Sequence, residues 1–344
     1  MGLPIDDRMR RNLGKNLAIA ATALAVSLFV AELVVRAFVP VRNVGPSFSV
    51  YDPIYGRRLK KSFSTERITP EFTMRFSTNE RGFRGPELAD PRAPSILFLG
   101  DSFTMGYGVN DGEEYPRRVA RALTARGPAS LTVVNAGVGN SGNGRWLKFL
   151  REEASRYRPE LVVLQMHRND FGDNLMEGLF ALAPDGELRE LPVPPPGPLR
   201  TLQSVIEMIP GLDRSYLVGL AKQLPEVSVA PLGTRGERLT LRILEAVLRV
   251  CETSGWPVVG LLVDMPDSRR VPLDELFAAR GIPAVAMPTK LERPDIYYEA
   301  DGHWRPSGHA LAASRLLEVF DRRGLLGGAS GSTGVRAADP RTGG

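Results

Sequence analysis

The fold is decided by the stretch SILFLGDSF, residues 95–103. Its first half is short and apolar, which is typical of a buried strand, and the polar turn Gly100-Asp101-Ser102 ends it. Short apolar runs then alternate with segments of helical periodicity, in the order EEYPRRVARALTA (113–125), LTVVNAGV (131–138), GRWLKFLREEASRY (144–157) and ELVVLQM (160–166). This alternation is the signature of βαβ units, so it predicts an α/β fold around a parallel sheet.

The second half of the chain continues this pattern after an interruption. Residues 171–234 contain the stretch LPVPPPGPLR, whose prolines disfavour regular elements, and we interpret 171–234 as an insertion that shapes a substrate cleft. The pattern then resumes with a helical segment and two apolar runs, over residues 237–252, 257–265 and 282–288. We therefore predict one catalytic domain over 93–323 and a disordered tail, rich in Gly, Ser, Thr and Pro, over 324–344.

An apolar segment near the N-terminus, residues 17–35, reads LAIAATALAVSLFVAELVV. At about 1.5 Å per helical residue it approaches the roughly 30 Å of a bilayer core, so we predict a transmembrane anchor over 16–38. A cleaved signal peptide is the alternative, but the segment is longer than is usual for one and no small-x-small site follows it. Glu32 lies near the outer end, where it could reach the interface or pair with a partner helix.

The flanks of this segment indicate its orientation. Basic residues precede it, namely Arg8, Arg10, Arg11 and Lys15. They favour a cytoplasmic N-terminus over 1–15 and a catalytic domain outside the cytoplasm. Residues 39–92 are rich in turns, and Phe72, Met74 and Phe76 alternate there with polar residues, which predicts a small β-rich collar.

Composition excludes several classes of protein. With 344 residues, 43% of them hydrophobic and 24% charged, the chain can bury a full core and is neither disordered nor fibrous. The single cysteine, Cys251, excludes an internal disulfide, and no CxxC motif or His/Cys cluster indicates a metal site. The net charge of +5 would suit an anionic partner, but the arginines are scattered and no nucleic-acid motif is present, so we expect no nucleic-acid partner.

Polar residues that could do chemistry follow the predicted strands. They are Gly100-Asp101-Ser102 after the first, residues 135–140 after the second, Asn169-Asp170 after the third and Asp301-Gly302-His303 after the last. Because the C-terminal ends of parallel strands form one edge of the sheet, where ligand crevices occur, we expect these groups to lie close together.

Within this set we interpret Ser102 as a nucleophile. A serine hydroxyl is a poor nucleophile until a base removes its proton, and His303 is the candidate base. Asp301 can hold the imidazole in the accepting tautomer and stabilise the imidazolium that forms. The expected donors to the oxyanion are the backbone N–H of Ser102, the loop of Gly137, Gly139 and Asn140, and the Asn169 side-chain amide.

Other polar and aromatic residues of these segments have structural interpretations. We expect Asp101 and Asp170 to accept hydrogen bonds from backbone N–H groups. We expect His167 to line the cleft, His309 to lie at the surface or cap a helix, and Trp146 and Trp304 to be packing residues.

The ordered motifs resemble the four blocks of the SGNH (GDSL-like) hydrolase family, over roughly residues 93–323. Ser102 in GDSF resembles the first block, Asn169 in HRND stands at the asparagine of the third, and Asp301 and His303 match the last. The stretch GDSFTMGYGV is similar to membrane-anchored members. The resemblance implies a three-layer, flavodoxin-like parallel sheet, no metal or cofactor, a bacterial inner-membrane location, and ester hydrolysis or acyl transfer on lipids or glycans.

Three blocks depart from the family pattern. Asn140, with Gly139 beside it, aligns with the glycine of the second block, and the third block begins with His167 instead of glycine. The last block reads Asp-x-His-Trp instead of Asp-x-x-His-Pro, which is similar to the polysaccharide O-acetyltransferases of the bacterial envelope.

Three functions follow as hypotheses. The first is an extracytoplasmic serine esterase or deacylase that acts on an acylated lipid or glycan through an acyl-enzyme. The second is an O-acyltransferase that passes the acyl group to a cell-envelope glycan, with a membrane-bound partner supplying that group. The third is an inactive scaffold that binds glycan, in which the geometry of the relay is broken.

Overall fold

The structure is a computed structural model, and it describes residues 7–41, 44–126, 131–222 and 233–326. Residues 327–344, most of the predicted disordered tail, lie outside the described residues, as do residues 1–6 of the predicted cytoplasmic segment.

The N-terminal helix α1 (Asp7–Phe38) carries the apolar segment. Its part Asn12–Phe38 is long and apolar enough to cross a membrane, as a membrane span or a signal sequence would be. Large apolar side chains such as Leu17 and Phe29 are exposed along it. Towards its C-terminal end the helix packs on the rest of the chain, where Val35 is buried with Val41 and Val44.

Two antiparallel hairpins follow α1. The first joins β1 (Ser49–Asp52) to β2 (Gly56–Leu59), and the second joins β3 (Ser64–Ile68) to β4 (Thr73–Ser77). The alternation predicted around β4 is confirmed, because Met74 and Phe76 are fully buried whereas Thr73 and Arg75 are exposed. These two side chains pack with Met105 and Val138 of the following domain, so the hairpins cover one edge of that domain.

The rest of the chain alternates strands and helices. In chain order these are β5 (Ser95–Leu99), α2 (Ser102–Met105), α3 (Tyr115–Ala125), β6 (Thr132–Asn135), α4 (Asn143–Glu152), β7 (Pro159–His167), α5 (Asp170–Glu177), β8 (Phe180–Leu182), β9 (Leu188–Glu190), α6 (Pro198–Met208), α7 (Tyr216–Lys222), α8 (Gly233–Thr253), β10 (Val258–Val263), α9 (Asp267–Ala278), β11 (Ala284–Ala286) and α10 (Pro306–Arg323). Short 3-10 turns occur at Ala154–Tyr157, Leu212–Arg214 and Pro294–Ile296.

Five parallel strands form the central sheet, in the order β11-β10-β7-β5-β6. Numbered along the chain, this is the order 2-1-3-4-5 of flavodoxin-like folds, read from the other edge. The α/β fold class and the flavodoxin-like sheet predicted from the sequence are therefore confirmed. The chain reverses its direction of winding between β5 and β7, and at such a switch point the loops at the strand ends separate into a crevice.

Helices cover both faces of the sheet and make a three-layer structure. Strands β5 and β10 are buried along their whole length, as strands covered on both faces must be. One face packs on α4, α8 and α9 through residues such as Trp146, Leu244 and Phe277. The other packs on α3 and α10 through residues such as Val119 and Leu316.

The predicted insertion lies between β7 and α8, and it contains α5, the β8–β9 hairpin, α6 and α7. Helix α6 rests on the hairpins, because Glu207 accepts hydrogen bonds from Lys60 Nζ (2.6 Å) and from the Ser47 backbone N–H (2.8 Å). The insertion thus reaches the same edge of the sheet as the hairpins that precede β5.

Candidate active site

The turn after β5 places Ser102 at the edge of the sheet. Gly100 permits this turn, since a Cβ at this position would overlap Thr104 Oγ1 and Gln165 Oε1. Asp101 then caps the short helix α2, because its Oδ1 accepts a hydrogen bond from the Phe103 N–H at 2.8 Å. Ser102 is consequently held as the first residue of a helix, with its side chain facing a cavity.

Two hydrogen bonds join Ser102, His303 and Asp301. Ser102 Oγ lies 2.7 Å from His303 Nε2, and His303 Nδ1 lies 2.5 Å from Asp301 Oδ1. In this arrangement one imidazole nitrogen can accept the serine proton while the other donates to a carboxylate. The structure therefore brings together the three residues that the sequence analysis placed in a relay.

The loop that carries Asp301 and His303 lies between β11 and α10, and the β3–β4 turn holds it. Glu71 of that turn accepts hydrogen bonds from the backbone N–H groups of Ala300 (3.0 Å) and Asp301 (2.6 Å). Trp304, fully buried, anchors the other end of the loop, which confirms its interpretation as a packing residue. Sequence analysis missed Glu71, and nothing in the sequence pairs this residue with a loop some 230 positions away.

Of the predicted oxyanion donors in the loop after β6, Gly139 and Asn140 lie beside Ser102 or line the cavity, whereas Gly137 does not. A Cβ on Gly139 would lie 3.6 Å from Ser102 Cβ, so this loop runs directly past the serine. Asn140 lines the same cavity and has a φ of 53°, a left-handed conformation that asparagine tolerates. The Gly137 N–H, in contrast, donates to Asn135 Oδ1 at 3.1 Å, and Gly137 packs against the backbone of α2 too closely for a Cβ.

Asn169 stands at the N-terminal end of α5, next to the switch point. Its amide oxygen lies 2.5 Å from His167 Nδ1, which fixes the orientation of the amide group. Neither Asn169 nor His167 is among the described residues that line the cavity. His167 instead packs beside the ring of Phe103, at 4.8 Å between ring centroids.

A buried acidic pair lies beneath these residues. Asp101 and Asp170 are both fully buried, and Asp170 Oδ2 accepts hydrogen bonds from the His167 backbone N–H and from Asn143 Nδ2, both at 3.1 Å. The interpretation of both aspartates as acceptors of backbone N–H bonds is thus confirmed. Burial raises the pKa of Asp170 well above its ordinary value, and the charge of Asp101 raises it further.

Two histidines near the relay remain neutral because they are buried. Burial lowers the pKa of His167, against the opposing effect of the Asp101 carboxylate. Burial also lowers the pKa of His309 well below its ordinary value. The expectation that His309 lies at the surface was wrong, since the side chain is fully buried; its Nδ1 accepts from the N–H of Tyr115, the first residue of α3, at 3.3 Å.

The cavity in front of Ser102 has a volume of about 450 Å³. Besides Ser102, Asp301 and His303, its walls come from the two hairpins, the segment after α2 and the insertion. Tyr107 lies in the wall, with its ring centroid 4.9 Å from that of His303, and burial raises its pKa to about 12. Tyr107 is therefore neutral near pH 7 and cannot act as a second base there.

Three basic side chains, Arg57, Arg67 and Lys222, line this cavity, and the sequence analysis did not find them. One signal for Arg67 was available. In the β3–β4 hairpin Arg67 pairs with Met74, so it shares the buried face of β4 instead of the exposed one. No group of histidine, cysteine and acidic side chains among the described residues has the arrangement of a metal site.

Comparisons with known proteins show which family the chain belongs to. The profile of the GDSL-like lipase/acylhydrolase family matches residues 98–311. Among solved structures, the chain is similar to a lipolytic protein of the G-D-S-L family from Desulfitobacterium hafniense, with 11% identity, coverage of 65% of this chain and 98% of that chain, and a TM-score of 0.38. A comparison with curated protein sequences gives no significant match.

Two further solved structures have similar values. The lipase/acylhydrolase from Enterococcus faecalis is 18% identical, with 67% of this chain and 96% of that chain covered and a TM-score of 0.40. A psychrotrophic esterase from a Pseudoalteromonas species is 11% identical, with 67% and 97% covered and a TM-score of 0.42.

The flavodoxin-like sheet and the family match together define the class of protein as an ester-bond hydrolase. The matched region, residues 98–311, is more than half of the chain, and the protein belongs to the GDSL-like lipase/acylhydrolase family. The family resemblance seen in the sequence is thereby confirmed.

Proposed function

We propose that the protein is a membrane-anchored, extracytoplasmic serine esterase in which Ser102 is the nucleophile, His303 the general base and Asp301 the residue that orients the imidazole. One observation carries the proposal, the unbroken set of hydrogen bonds from Ser102 Oγ to His303 Nε2 (2.7 Å) and from His303 Nδ1 to Asp301 Oδ1 (2.5 Å). An inactive scaffold would have no need to maintain this geometry.

In the acylation step, Ser102 Oγ attacks the ester carbonyl carbon while its proton passes to His303 Nε2. The imidazolium that forms is stabilised by the Asp301 carboxylate on its other nitrogen. When the tetrahedral intermediate collapses, the C–O bond to the alcohol breaks, and His303 gives its proton to the departing oxygen. The acyl group is then bound to Ser102 as an ester.

In the second step, a water molecule attacks this acyl-enzyme, and His303 takes the proton of the water. Collapse of the second tetrahedral intermediate releases the carboxylic acid and returns the proton to Ser102 Oγ. A glycan hydroxyl could replace the water in the same geometry, and the reaction would then be an acyl transfer.

For the oxyanion we propose the backbone N–H groups of Ser102 and of the Gly139-Asn140 segment, together with the Asn169 side-chain amide. The proximity of Gly139 to Ser102 supports the backbone donors. The contact of the Asn169 amide oxygen with His167 leaves the NH2 group of Asn169 for the substrate. Gly137 is left out, because its N–H already donates to Asn135. Each effective donor contributes roughly 3 kcal/mol to transition-state stabilisation.

The proposed location depends on α1. Its apolar part, Asn12–Phe38, would span about 40 Å as a helix, which exceeds the roughly 30 Å hydrocarbon core and allows for tilt. Helix α7, which follows α6 in the insertion, packs on the C-terminal end of α1, and its last residue, Lys222, lines the cavity. This arrangement would hold the cavity close to the membrane, where an acylated lipid or an envelope glycan is the substrate.

Hydrolysis of an acetyl ester by the full-length protein in detergent tests the proposal. We expect His303→Ala to lower kcat by about six orders of magnitude. Glu299→Ala, an exposed residue of the same loop, is the matched control and should retain the wild-type rate. A His303→Ala variant with wild-type kcat would rule out the proposed base. Addition of an oligosaccharide acceptor to the same assay measures transfer against hydrolysis.

A further inference from the structure

We propose that the cavity beside Ser102 contains an anion-binding subsite centred on Arg67, so that the preferred ester carries a phosphate or carboxylate group in addition to its acyl group. This inference rests on the proposed esterase function, since it names the class of substrate for that site. The site is distinct from the relay, because the hairpins and the insertion provide it.

Arg67 is a buried cation in the wall of the cavity. Its side chain is 7% exposed, and its guanidinium carbon lies 4.6 Å from the centroid of the Phe48 ring. Nη1 and Nη2 donate to the backbone carbonyls of Gly45 (3.2 Å) and Pro46 (2.6 Å). These contacts fix the guanidinium plane but supply no negative charge.

Among the described residues, Arg67 forms no ion pair, and its buried Nε has no hydrogen-bond partner. The acidic groups near it are Glu207 and Asp213, neither of them within ion-pair distance, and the Glu207 carboxylate is paired with Lys60 at 2.6 Å. A buried charge without a counter-ion is costly, because its hydration is lost without compensation. An anion in the cavity would supply the missing charge.

Two further cations line the same cavity. Arg57 Nη1 donates to the carbonyl of Gly139 at 3.1 Å, which places a positive charge beside the segment that runs past Ser102. Burial lowers the pKa of Lys222, and the positive charge of Arg67 lowers it further, as expected for two cations that share one wall. Among the described residues of the lining, Asp301 is the acidic one and is hydrogen-bonded to His303, so the lining has three basic side chains and one carboxylate.

The geometry suits oxyanions of planar or tetrahedral shape. A guanidinium presents parallel N–H donors that match two oxygens of a carboxylate or phosphate, and such charge-assisted hydrogen bonds are among the strongest in proteins. Ser102 and Arg67 line a single cavity of about 450 Å³, so one small molecule could contact both. A phosphate from a lipid headgroup and a carboxylate from an acidic sugar would satisfy the same donors.

The test compares acetyl esters of similar leaving groups on the full-length protein in a neutral detergent. The esters are 4-acetoxyphenyl phosphate, 4-acetoxybenzoate and the neutral 4-acetoxybenzamide. We expect kcat/KM of the wild type to favour at least one anionic ester over the neutral one by about tenfold or more, the effect of one charge-assisted hydrogen bond. A preference for the phosphate ester would indicate a lipid headgroup as the source of the anion, and a preference for the carboxylate ester would indicate an acidic sugar.

Arg67→Gln should reduce this ratio to near one, and Lys222→Gln, which removes a second cation from the lining, should reduce it in part. The matched control, Arg249→Gln, removes one positive charge from the exposed face of α8 and should leave the ratio unchanged. A wild type without preference for either anionic ester, or an Arg67→Gln variant that keeps the preference, would overturn the proposal. If Arg67→Gln does not fold, Lys222→Gln serves as the test: a reduced ratio supports the subsite, and an unchanged ratio overturns the proposal.

Calorimetric titration of the Ser102→Ala protein with phenyl phosphate separates this inference from the proposed function. Binding that weakens about tenfold or more in the Ser102→Ala, Arg67→Gln double variant, and by a smaller factor in Ser102→Ala, Lys222→Gln, supports the subsite, whether or not any ester is hydrolysed. Absence of binding contradicts the subsite and leaves the esterase proposal standing. Absence of turnover on all three esters contradicts the esterase proposal alone.

Discussion

His309 is a fully buried histidine whose neutral form the folded state selects. Its Nδ1 accepts the Tyr115 N–H, and its ring centroid lies 5.4 Å from that of Trp304. Burial lowers its pKa, and the positive charges of Arg84 and Arg118 lower it further. Two other buried, titratable groups of the protein, Asp170 and His167, have pKa shifts of their own that also affect stability at acidic pH.

The lowered pKa of His309 predicts that the protein loses stability at acidic pH. A free histidine takes up a proton near pH 6.5, so below that pH the unfolded chain binds a proton that the folded chain does not. The free energy of unfolding should therefore fall as the pH falls, by up to about 1.4 kcal/mol per pH unit from this group. In His309→Asn, whose amide oxygen can still accept the Tyr115 N–H, the loss from about pH 8 to about pH 5 should be smaller.

Urea denaturation of both proteins at the two pH values measures this difference. The raised pKa of Asp170 acts with the opposite sign, because there the folded chain holds the extra proton, and it cancels when the variant is compared with the wild type. Equal losses in the two proteins would show that His309 is not the responsible group.

The roles of individual residues could be predicted from the sequence where the residue belongs to a motif. Ser102, Asp301 and His303 were recognised by their order along the chain, and they lie within hydrogen-bonding distance of one another. His309 was misjudged, although it begins the helical stripe that continues through Ala312, Ala313, Leu316 and Phe320, all of them buried. The helical spacing of these residues is therefore a better predictor of burial at position 309 than the polarity of its imidazole.

The turn between β5 and α2 is the element on which the site depends. It brings Gly100 against Thr104 and Gln165, whose side chains are hydrogen-bonded to each other at 2.8 Å. Thr104 Oγ1 also lies 2.7 Å from the hydroxyl of Tyr115. These buried polar groups leave no volume for a side chain at Gly100, which explains the glycine at the start of the GDSF motif.

Gly100→Ala should therefore destabilise the protein and shift the turn that carries Ser102. We expect the free energy of unfolding to fall by about 2 kcal/mol or more, with a loss of esterase activity. Gly197→Ala is the control, because no atom lies within 4 Å of a Cβ built there and its φ of −68° suits alanine. Urea denaturation and ester hydrolysis measure both effects, and a Gly100→Ala variant as stable as Gly197→Ala would contradict the packing argument.

The elements themselves were largely predictable, whereas their contacts were not. Apolar runs and helical periods gave the order of strands and helices, because each reports local burial. The packing of the hairpins and α6 over the edge of the sheet depends on contacts between distant segments, such as that of Lys60 with Glu207. Local periodicity contains no information about such pairs, so the sequence analysis missed the basic residues Arg57, Arg67 and Lys222 that line the cavity.

At the scale of the whole molecule, a partly exposed carboxylate at the C-terminal end of α1, that of Glu32, joins this helix to α7 beside the apolar contacts of Val35. Glu32 accepts hydrogen bonds from Ser215 Oγ (2.7 Å) and from the backbone N–H groups of Tyr216 (2.8 Å) and Leu217 (3.0 Å). It thus satisfies N–H groups in the first turn of α7 that have no partner within that helix. Of the two alternatives that the sequence left open for Glu32, the interface or a partner helix, the structure shows contact with a helix, and that helix belongs to the insertion of the same chain.

Glu32→Ala should loosen this junction, because the first turn of α7 loses its acceptor. In the full-length protein in lipid nanodiscs, we expect amide hydrogen exchange at Tyr216 and Leu217 to become about tenfold faster. Thr22→Ala is the control on the same helix, since the Thr22 hydroxyl donates only to the backbone of Ala18 in its own helix. Unchanged exchange in Glu32→Ala would mean that other contacts hold α7 in place.

The central claim, that Ser102 is an activated nucleophile, is tested most directly by the intact mass of the protein after treatment with a fluorophosphonate. The account predicts a single adduct on the wild type, its loss in Ser102→Ala and its retention in Ser314→Ala, which removes an exposed serine of α10. A folded wild type that never acquires the adduct, or a Ser102→Ala variant that still does, would contradict it.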